Sequence, residues 1–347
     1  MALNIELLRK LCLTPGPPGG EQPIRELVIN QVNALADEVE VDNMGNVIAR
    51  KKGKQELKVM AAAHMDEIGF VITHIDDDGF ARFHTLGGFD PKSLTAQRVI
   101  VHGKQDLIGV MGSKAPHIMS PEDRNKAPKL KDYFIDFGMS GEIVRQFISV
   151  GDKATRERDM ILVGDCFSTK SLDNRVSVFI LLEALRQMKT PAYDFYAVFT
   201  VQEEVGLRGA LTATHKINPD FGFGIDTTIA NDLPVSQEHE YITQLGKGTA
   251  IKIMDSSVIS DERMVRFMKA AAERHQIPWQ PEILTGGGTD TASLQRAADG
   301  AIVGCVSIPT RHIHSVVEMC HKVDIQASID LLTRCVEELD QFDFSWA

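Results

Sequence analysis

Leu57-Lys58-Val59-Met60-Ala61-Ala62-Ala63 is a largely apolar run that stops abruptly at His64-Met65-Asp66-Glu67. A short run of this kind reads as a strand buried on both faces, as at the centre of an α/β sheet. Upstream, residues 4–12 and 22–36 read as amphipathic helices on either side of the loop Thr14-Pro15-Gly16-Pro17-Pro18-Gly19-Gly20. Val39-Glu40-Val41 and Asn46-Val47-Ile48-Ala49 alternate like paired hairpin strands.

Downstream the texture changes. From Gly69 to about Leu162 the chain is a series of short β-like runs with turn signals at Asp76-Asp77-Asp78-Gly79, Gly87-Gly88 and Gly103, and it has no long helical period. Helix and strand alternation then returns at 174–188 (helix), 195–201 (strand), 207–215 (helix) and 221–225 (strand). It continues with a helix at 261–276, a strand near Glu282-Ile283-Leu284, a helix opened by Gly286-Gly287-Gly288, the strand 301–308 and a last helix from Asp324. The spacing predicts one α/β domain built from residues 1–68 and 163–347, with a β-rich insertion over 69–162.

The 347 residues suit two such units, and 43% hydrophobic with 24% charged residues is the composition of a globular chain. The net charge of −11, without a dense Lys/Arg run, argues against nucleic acid as a partner. No apolar stretch reaches the roughly 20 residues of a membrane-spanning helix. The start resembles no signal peptide, and the odd set Cys12, Cys166, Cys305, Cys320 and Cys335 has no CxxC pair. A reducing cytoplasm is the expected location.

Five places set acidic or imidazole side chains at or just beyond an apolar strand or at the start of a helix, and strand ends are where open α/β sheets present their ligand crevice. They are His64 with Asp66, Asp173, the pair Glu203-Glu204, Asp226, and His314. Each has an ordinary structural reading when taken singly. Asp66 or Asp226 would serve a turn, Asp173 would cap a helix, the two glutamates would face solvent near a helix start, and His312 and His314 would be surface residues. As a set they offer the imidazole and carboxylate donors that a hydrolase holding two zinc-like ions requires. Two such ions, roughly 3.5 to 4 Å apart, share a carboxylate and a water and lower the pKa of that water. A nearby glutamate then moves the proton. The i, i+2 spacing of His64 and Asp66 places both on one face of an extended chain, so Asp66 could orient the imidazole.

Ala63-His64-Met65-Asp66-Glu67-Ile68-Gly69-Phe70, Lys170-Ser171-Leu172-Asp173-Asn174-Arg175, Gln202-Glu203-Glu204-Val205-Gly206-Leu207-Arg208-Gly209, Gly287-Gly288-Thr289-Asp290 and Arg311-His312-Ile313-His314-Ser315 occur in this order. Together they resemble the dinuclear metallo-aminopeptidases that include glutamyl and deblocking aminopeptidases and the tetrahedral TET particles. The resemblance implies a mixed-sheet α/β/α, zinc-peptidase-like catalytic domain with a small, β-barrel-like dimerisation domain inserted. It implies two divalent ions per subunit, Zn²⁺ or Co²⁺, with Asp173 bridging, His64 and Asp226 completing one site, and Glu204 and His314 the other. Glu203 would be the general base, and Asp66 would steady His64. Dimers would assemble into a tetrahedral dodecamer acting on oligopeptides. Asn174 and His312 stand where the family usually has Asp and Tyr, and Lys114-Ala115-Pro116-His117 resembles the start of a loop that approaches a neighbouring subunit's site. The polar run from Ser120 to Lys131 reads as a mobile or solvated loop.

The expected activity is metal-dependent removal of N-terminal residues from oligopeptides. Two alternatives stand beside it: glycoside hydrolysis by a carboxylate pair, which has no use for the histidines, and a non-catalytic peptide-binding shell.

Overall fold

The structure is a computed structural model that describes residues 3–346, the side chain of Asp123 apart. Its centre is an eleven-stranded mixed sheet. The strand Gln55–His64 lies between Tyr193–Thr200 and Phe221–Ile229, parallel to both, and Ile302–Arg311 continues the parallel set beyond Phe221–Ile229. The flanks turn antiparallel, with Glu38–Val41 and Val47–Lys51 at one edge and Glu318–His321, Cys166–Thr169 and Ile161–Val163 at the other.

Alternation along the strand that ends at His64 explains its unbroken apolarity. Val59, Ala61 and Ala63 join one buried cluster, while Met60 and Ala62 join another on the opposite face. Because successive side chains point to opposite faces, helices must cover both sides. Ile5–Leu13, Leu172–Gln187, Glu262–Arg274 and Lys322–Glu338 contribute to the first cluster; Arg208–Ile217 and Thr291–Gln295 contribute to the second. The result is the α/β/α arrangement the sequence implies.

Gly69–Ile75, Phe80–Leu86, Tyr133–Asp136, Asp106–Ser113, Arg98–His102 and Lys153–Arg156 close into a separate antiparallel barrel. It has its own core, including Phe70, Ile72, Val99, Val101 and Ile135. Two details differ from the sequence expectation. The insertion contains a helix, Gly141–Phe147, too short to show a period. The expected boundary between 162 and 163 falls inside Ile161–Val163, which pairs with Cys166–Thr169 in the large sheet, so the return to that sheet begins earlier.

The first helices run Ile5–Leu13 and Gln22–Val32, the second ending before the predicted 36. Periodicity alone gives no mark for Cys166–Thr169, Thr249–Met254 or Glu318–His321 as strands. No helix among the described residues is long and apolar enough to cross a membrane.

Candidate metal centre and active site

The parallel strands deliver their ends to one place. Thr200 pairs with His64, so Glu203 and Glu204, just past the end of the neighbouring strand, arrive beside His64. Asp226 lies within Phe221–Ile229 rather than in a loop beyond it, and His314 follows the end of Ile302–Arg311. Asp173 enters from the segment before the long helix, where residues 173 and 174 depart from helical angles. Its side chain does not act as the helix cap. Asp173 Oδ1 is 3.4 Å from His64 Nε2, and Asp173 Oδ2 is 3.4 Å from His314 Nε2.

The adjacent glutamates part company. Glu203 Oε2 is 3.7 Å from His64 Nε2, whereas Glu204 Oε2 is 3.5 Å from His314 Nε2. Asp226 Oδ1 is 3.8 Å from His64 Nε2. One donor atom each from His64, Glu203 and Asp226 falls within 4.8 Å of the others, and so does one each from His64, Asp173 and Glu204. All five expected ligands and the expected base thus meet in one cluster. Glu203 stands as near to His64 as Asp226 does, so dividing ligand from base rests on chemistry rather than spacing.

Asp66 has two positioning contacts. Its backbone carbonyl lies 3.1 Å from His64 Nδ1, and since a carbonyl only accepts, Nδ1 keeps a proton and Nε2 faces the cluster, its lone pair available once the imidazole is neutral. Its carboxylate accepts the backbone N–H of Glu203 at 3.0 Å and of Glu204 at 3.1 Å. The segment carrying Asp66 is itself anchored by the buried Arg175, which donates to Met65 O at 2.6 Å and Thr14 O at 2.7 Å. The Pro/Gly loop therefore packs against the underside of the site.

Burial opposes every charge in this cluster, so proton affinities report how the charges balance. Burial pushes the Glu203 and Asp226 carboxyls well above their ordinary range; His64 offsets part of this, and neighbouring carboxylates add to it. Burial also opposes the charge of both imidazoles. Glu203, Asp173, Asp66 and Asp226 nevertheless hold His64 well above the usual imidazole range, and Asp173 with Glu204 raises His314 to about 11. Despite its burial, Asp173 is drawn well below the usual carboxylate range by the two histidines. Four carboxylates and two imidazoles converge where little water enters. Positive charge is what the space lacks, and mixed oxygen and nitrogen donors suit Zn²⁺ or Co²⁺, so the residues present fit divalent cations.

Three further residues belong to the site, and of these only Asp290 stands in a sequence motif. Glu318, buried on the strand Glu318–His321, accepts the backbone N–H of Asp173 and that of His314 at 2.9 Å each. Burial first, and then the charge of Asp173, lifts its carboxyl to about 8. Asp290, in a quoted motif but without an assigned role, accepts the Thr200 hydroxyl at 2.5 Å and leaves its other oxygen without a hydrogen-bond partner. Burial raises it to about 6, against the pull of His64 and Thr200. Arg156, from the barrel, donates to the carbonyl of His314 at 2.9 Å.

The two departures noted in the sequence behave differently. Asn174 is buried, and its amide donates to Ile225 O at 2.9 Å, tying the segment after Asp173 to the strand just before Asp226. His312 is exposed, with φ 58°. Lys114-Ala115-Pro116-His117 is exposed as well. The cluster opens into a cavity of ≈ 740 Å³ whose far wall includes Thr228, Ile229, Leu284 and Gly286 to Gly288.

A family model described as M42 glutamyl aminopeptidase matches residues 45–331, spanning every sheet strand but Glu38–Val41, the barrel and all the cluster residues. The chain belongs to the M42 glutamyl aminopeptidase family. A lysyl aminopeptidase from Pyrococcus furiosus is 35% identical over 350 residues, covering 98% of this chain and 99% of the relative. An aminopeptidase structure from Desulfurococcus kamchatkensis superposes with a TM-score of 0.93 at 39% identity, covering 96% and 94% of the two chains. The Pyrococcus horikoshii TET1 peptidase, described as assembling into a tetrahedron or a large octahedral shell, has a TM-score of 0.87 at 34% identity, covering 96% of this chain and 99% of that one. This M42 chain is an aminopeptidase, and membership of the family carries metal dependence with it.

Proposed function

We propose that the enzyme is a dinuclear aminopeptidase that removes N-terminal residues from oligopeptides. The observation that carries this reading is the position of Asp173, with one oxygen turned to His64 and the other to His314. In this reading Asp173 would serve two divalent cations, His64 and Asp226 would hold one of them, and Glu204 and His314 would hold the other. When bound, the cations polarise the scissile carbonyl and lower the pKa of a water molecule. Glu203 takes the proton of the attacking water and passes it to the departing amine. Burial holds its carboxyl well above the ordinary range, and a bound cation beside it would lower it. Asp66 holds the Glu203 and Glu204 backbone and fixes the His64 tautomer.

The assembly reading rests on the barrel. Its strand Asp106–Ser113 exposes Ile108 and Val110, and at the sheet edge Ile161, Leu162 and Val163 are all exposed. Dimers formed through the insertion, building to a tetrahedral dodecamer, would cover such surface, and the TET1 relative is described as assembling into a tetrahedron. A reducing cytoplasm suits the five unpaired cysteines. Glycoside hydrolysis gains no support from this geometry, because each proposed carboxylate ligand faces an imidazole rather than standing alone across a sugar-binding gap.

The test is a panel of aminoacyl-anilides assayed on chelator-treated protein before and after reloading with Zn²⁺ or Co²⁺. Activity that disappears with the metal and returns with about two equivalents supports the reading. Activity indifferent to chelation removes it.

A further inference from the structure

His314 is the most exposed of the proposed ligands, with 34% of its side chain accessible, against 2% for His64 and 10% for Asp173. Packing alone therefore fixes it less than it fixes the others. Its backbone sits at φ 64°, in the left-handed region that non-glycine residues avoid. Something outside the residue must hold that conformation. The peptide groups on either side supply the answer. The N–H of His314 donates to Glu318 Oε1, and its carbonyl accepts from Arg156.

Glu318 does more than hold His314. Its other oxygen, Oε2, accepts the N–H of Asp173, 145 residues away in the chain. One carboxylate thus spans the backbones of two residues whose side chains face each other at 3.4 Å. Arg156 lies on Lys153–Arg156, which pairs with Arg98–His102 and with Gly69–Ile75 in the barrel. Its guanidinium is buried, sits 5.3 Å above the ring of Phe89, and feels the charges of Glu318, Glu204 and Asp173. Two glycines of the insertion also reach the site: a Cβ at Gly88 would lie 3.4 Å from His314 Nδ1, and one at Gly87 would lie 3.2 Å from Glu204 Oε2.

We propose that Glu318, seconded by Arg156 from the barrel, is a positioning residue that fixes Asp173 and His314 relative to each other. The barrel then serves the reaction as well as any assembly, by bracing the more exposed end of the metal cluster. This inference rests on the dinuclear reading and adds residues to it. Neither Glu318 nor Arg156 touches substrate or cation; each acts through the backbone of a ligand. A glutamine at 318 keeps the shape but replaces one acceptor oxygen with an NH₂ that has no bond to offer a backbone N–H.

The test is a Co²⁺ titration of the full-length, metal-free protein in competition with a chromophoric chelator, alongside thermal melts of the metal-free state. Wild type should bind two equivalents. Glu318→Gln should hold one at near-native affinity and lose about 10- to 100-fold in affinity for the other, the usual scale for removing a partner that orients a ligand. Arg156→Lys should shift the same ion in the same direction by less. A Glu318→Gln protein that melts lower yet binds both ions as wild type does would show a structural role alone and overturn the inference. Should Glu318→Gln fail to fold, Arg156→Lys carries the test, and unchanged affinity in that variant overturns the inference. Wild type binding fewer than two ions would instead overturn the dinuclear reading beneath it.

Discussion

Asp173 and His64 meet at 3.4 Å, and the same carboxylate meets His314 at 3.4 Å through its other oxygen. A single carboxylate between two imidazoles can serve both halves of the cluster only if its two oxygens are used separately. Removing it should therefore cost both halves at once. Asp173→Ala is expected to retain less than one cation per chain by elemental analysis after gel filtration, with activity lost. Two ions retained would reject the bridging role.

Glu203 is proposed to carry the proton rather than the metal. Glu203→Gln should bind cations like wild type and lower kcat by about 10²- to 10⁴-fold, the usual contribution of a positioned general base. If kcat is unchanged while metal content is also unchanged, the base is another group. If metal content falls instead, Glu203 is a ligand, as its distance to His64 also permits.

Asp66 receives two backbone N–H groups from the glutamate pair. In Asp66→Asn one of them faces an NH₂ and loses its acceptor, at a cost of about 1 kcal/mol for a part-buried donor. The expected outcome is a lower melting temperature together with a kcat reduced about 10- to 100-fold, because both glutamates shift. Near-native kcat in a destabilised Asp66→Asn would confine the residue to structure.

The metal-free protein should lose stability as pH rises. His314, raised to about 11, contributes stability that is complete below its unfolded value near 6.5 and disappears as pH climbs through the folded value. Glu318, raised to about 8, acts with the same sign between its unfolded value near 4.5 and pH 8. In both cases the folded state binds more protons than the unfolded chain. Their windows overlap between pH 6.5 and 8, where melting temperature should fall most clearly. Saturating Zn²⁺ or Co²⁺ should flatten that fall, since cations replace the protons. A metal-free melting temperature that rises across this window would contradict the charge balance described for the cluster.

The residues that carry the site were legible because the sheet imposes a rule on sequence. A strand covered on both faces must be apolar throughout, so its end is visible wherever a polar residue interrupts the run, as at His64. Glu203 and His314 stand out for the same reason, just past the ends of strands. Asp226 stood out as the first acid after an apolar stretch, although its strand continues to Ile229. Asp173 was visible as an acid ahead of an apolar helix, but its ordinary reading as a cap was equally visible, and only the fold excludes it.

Glu318 was not legible, because a lone acid in Glu318-Met319-Cys320-His321 looks like any residue of a short strand. Arg156 was hidden for a related reason: its function depends on where the barrel docks, and no local pattern encodes docking.

The sequence by itself determined the two-faced central strands, the separate β insertion and the chemical types gathered at the strand ends. Periodic burial constrains residue type position by position, so these features can be read in one dimension. Which oxygen of Asp173 faces which histidine, which backbone groups Asp66 and Glu318 restrain, and that the barrel reaches His314 through Arg156 were decided only by the tertiary structure. Those relationships join residues as far apart as 145 and 158 positions, and contacts at such separation leave no spacing for a sequence to display.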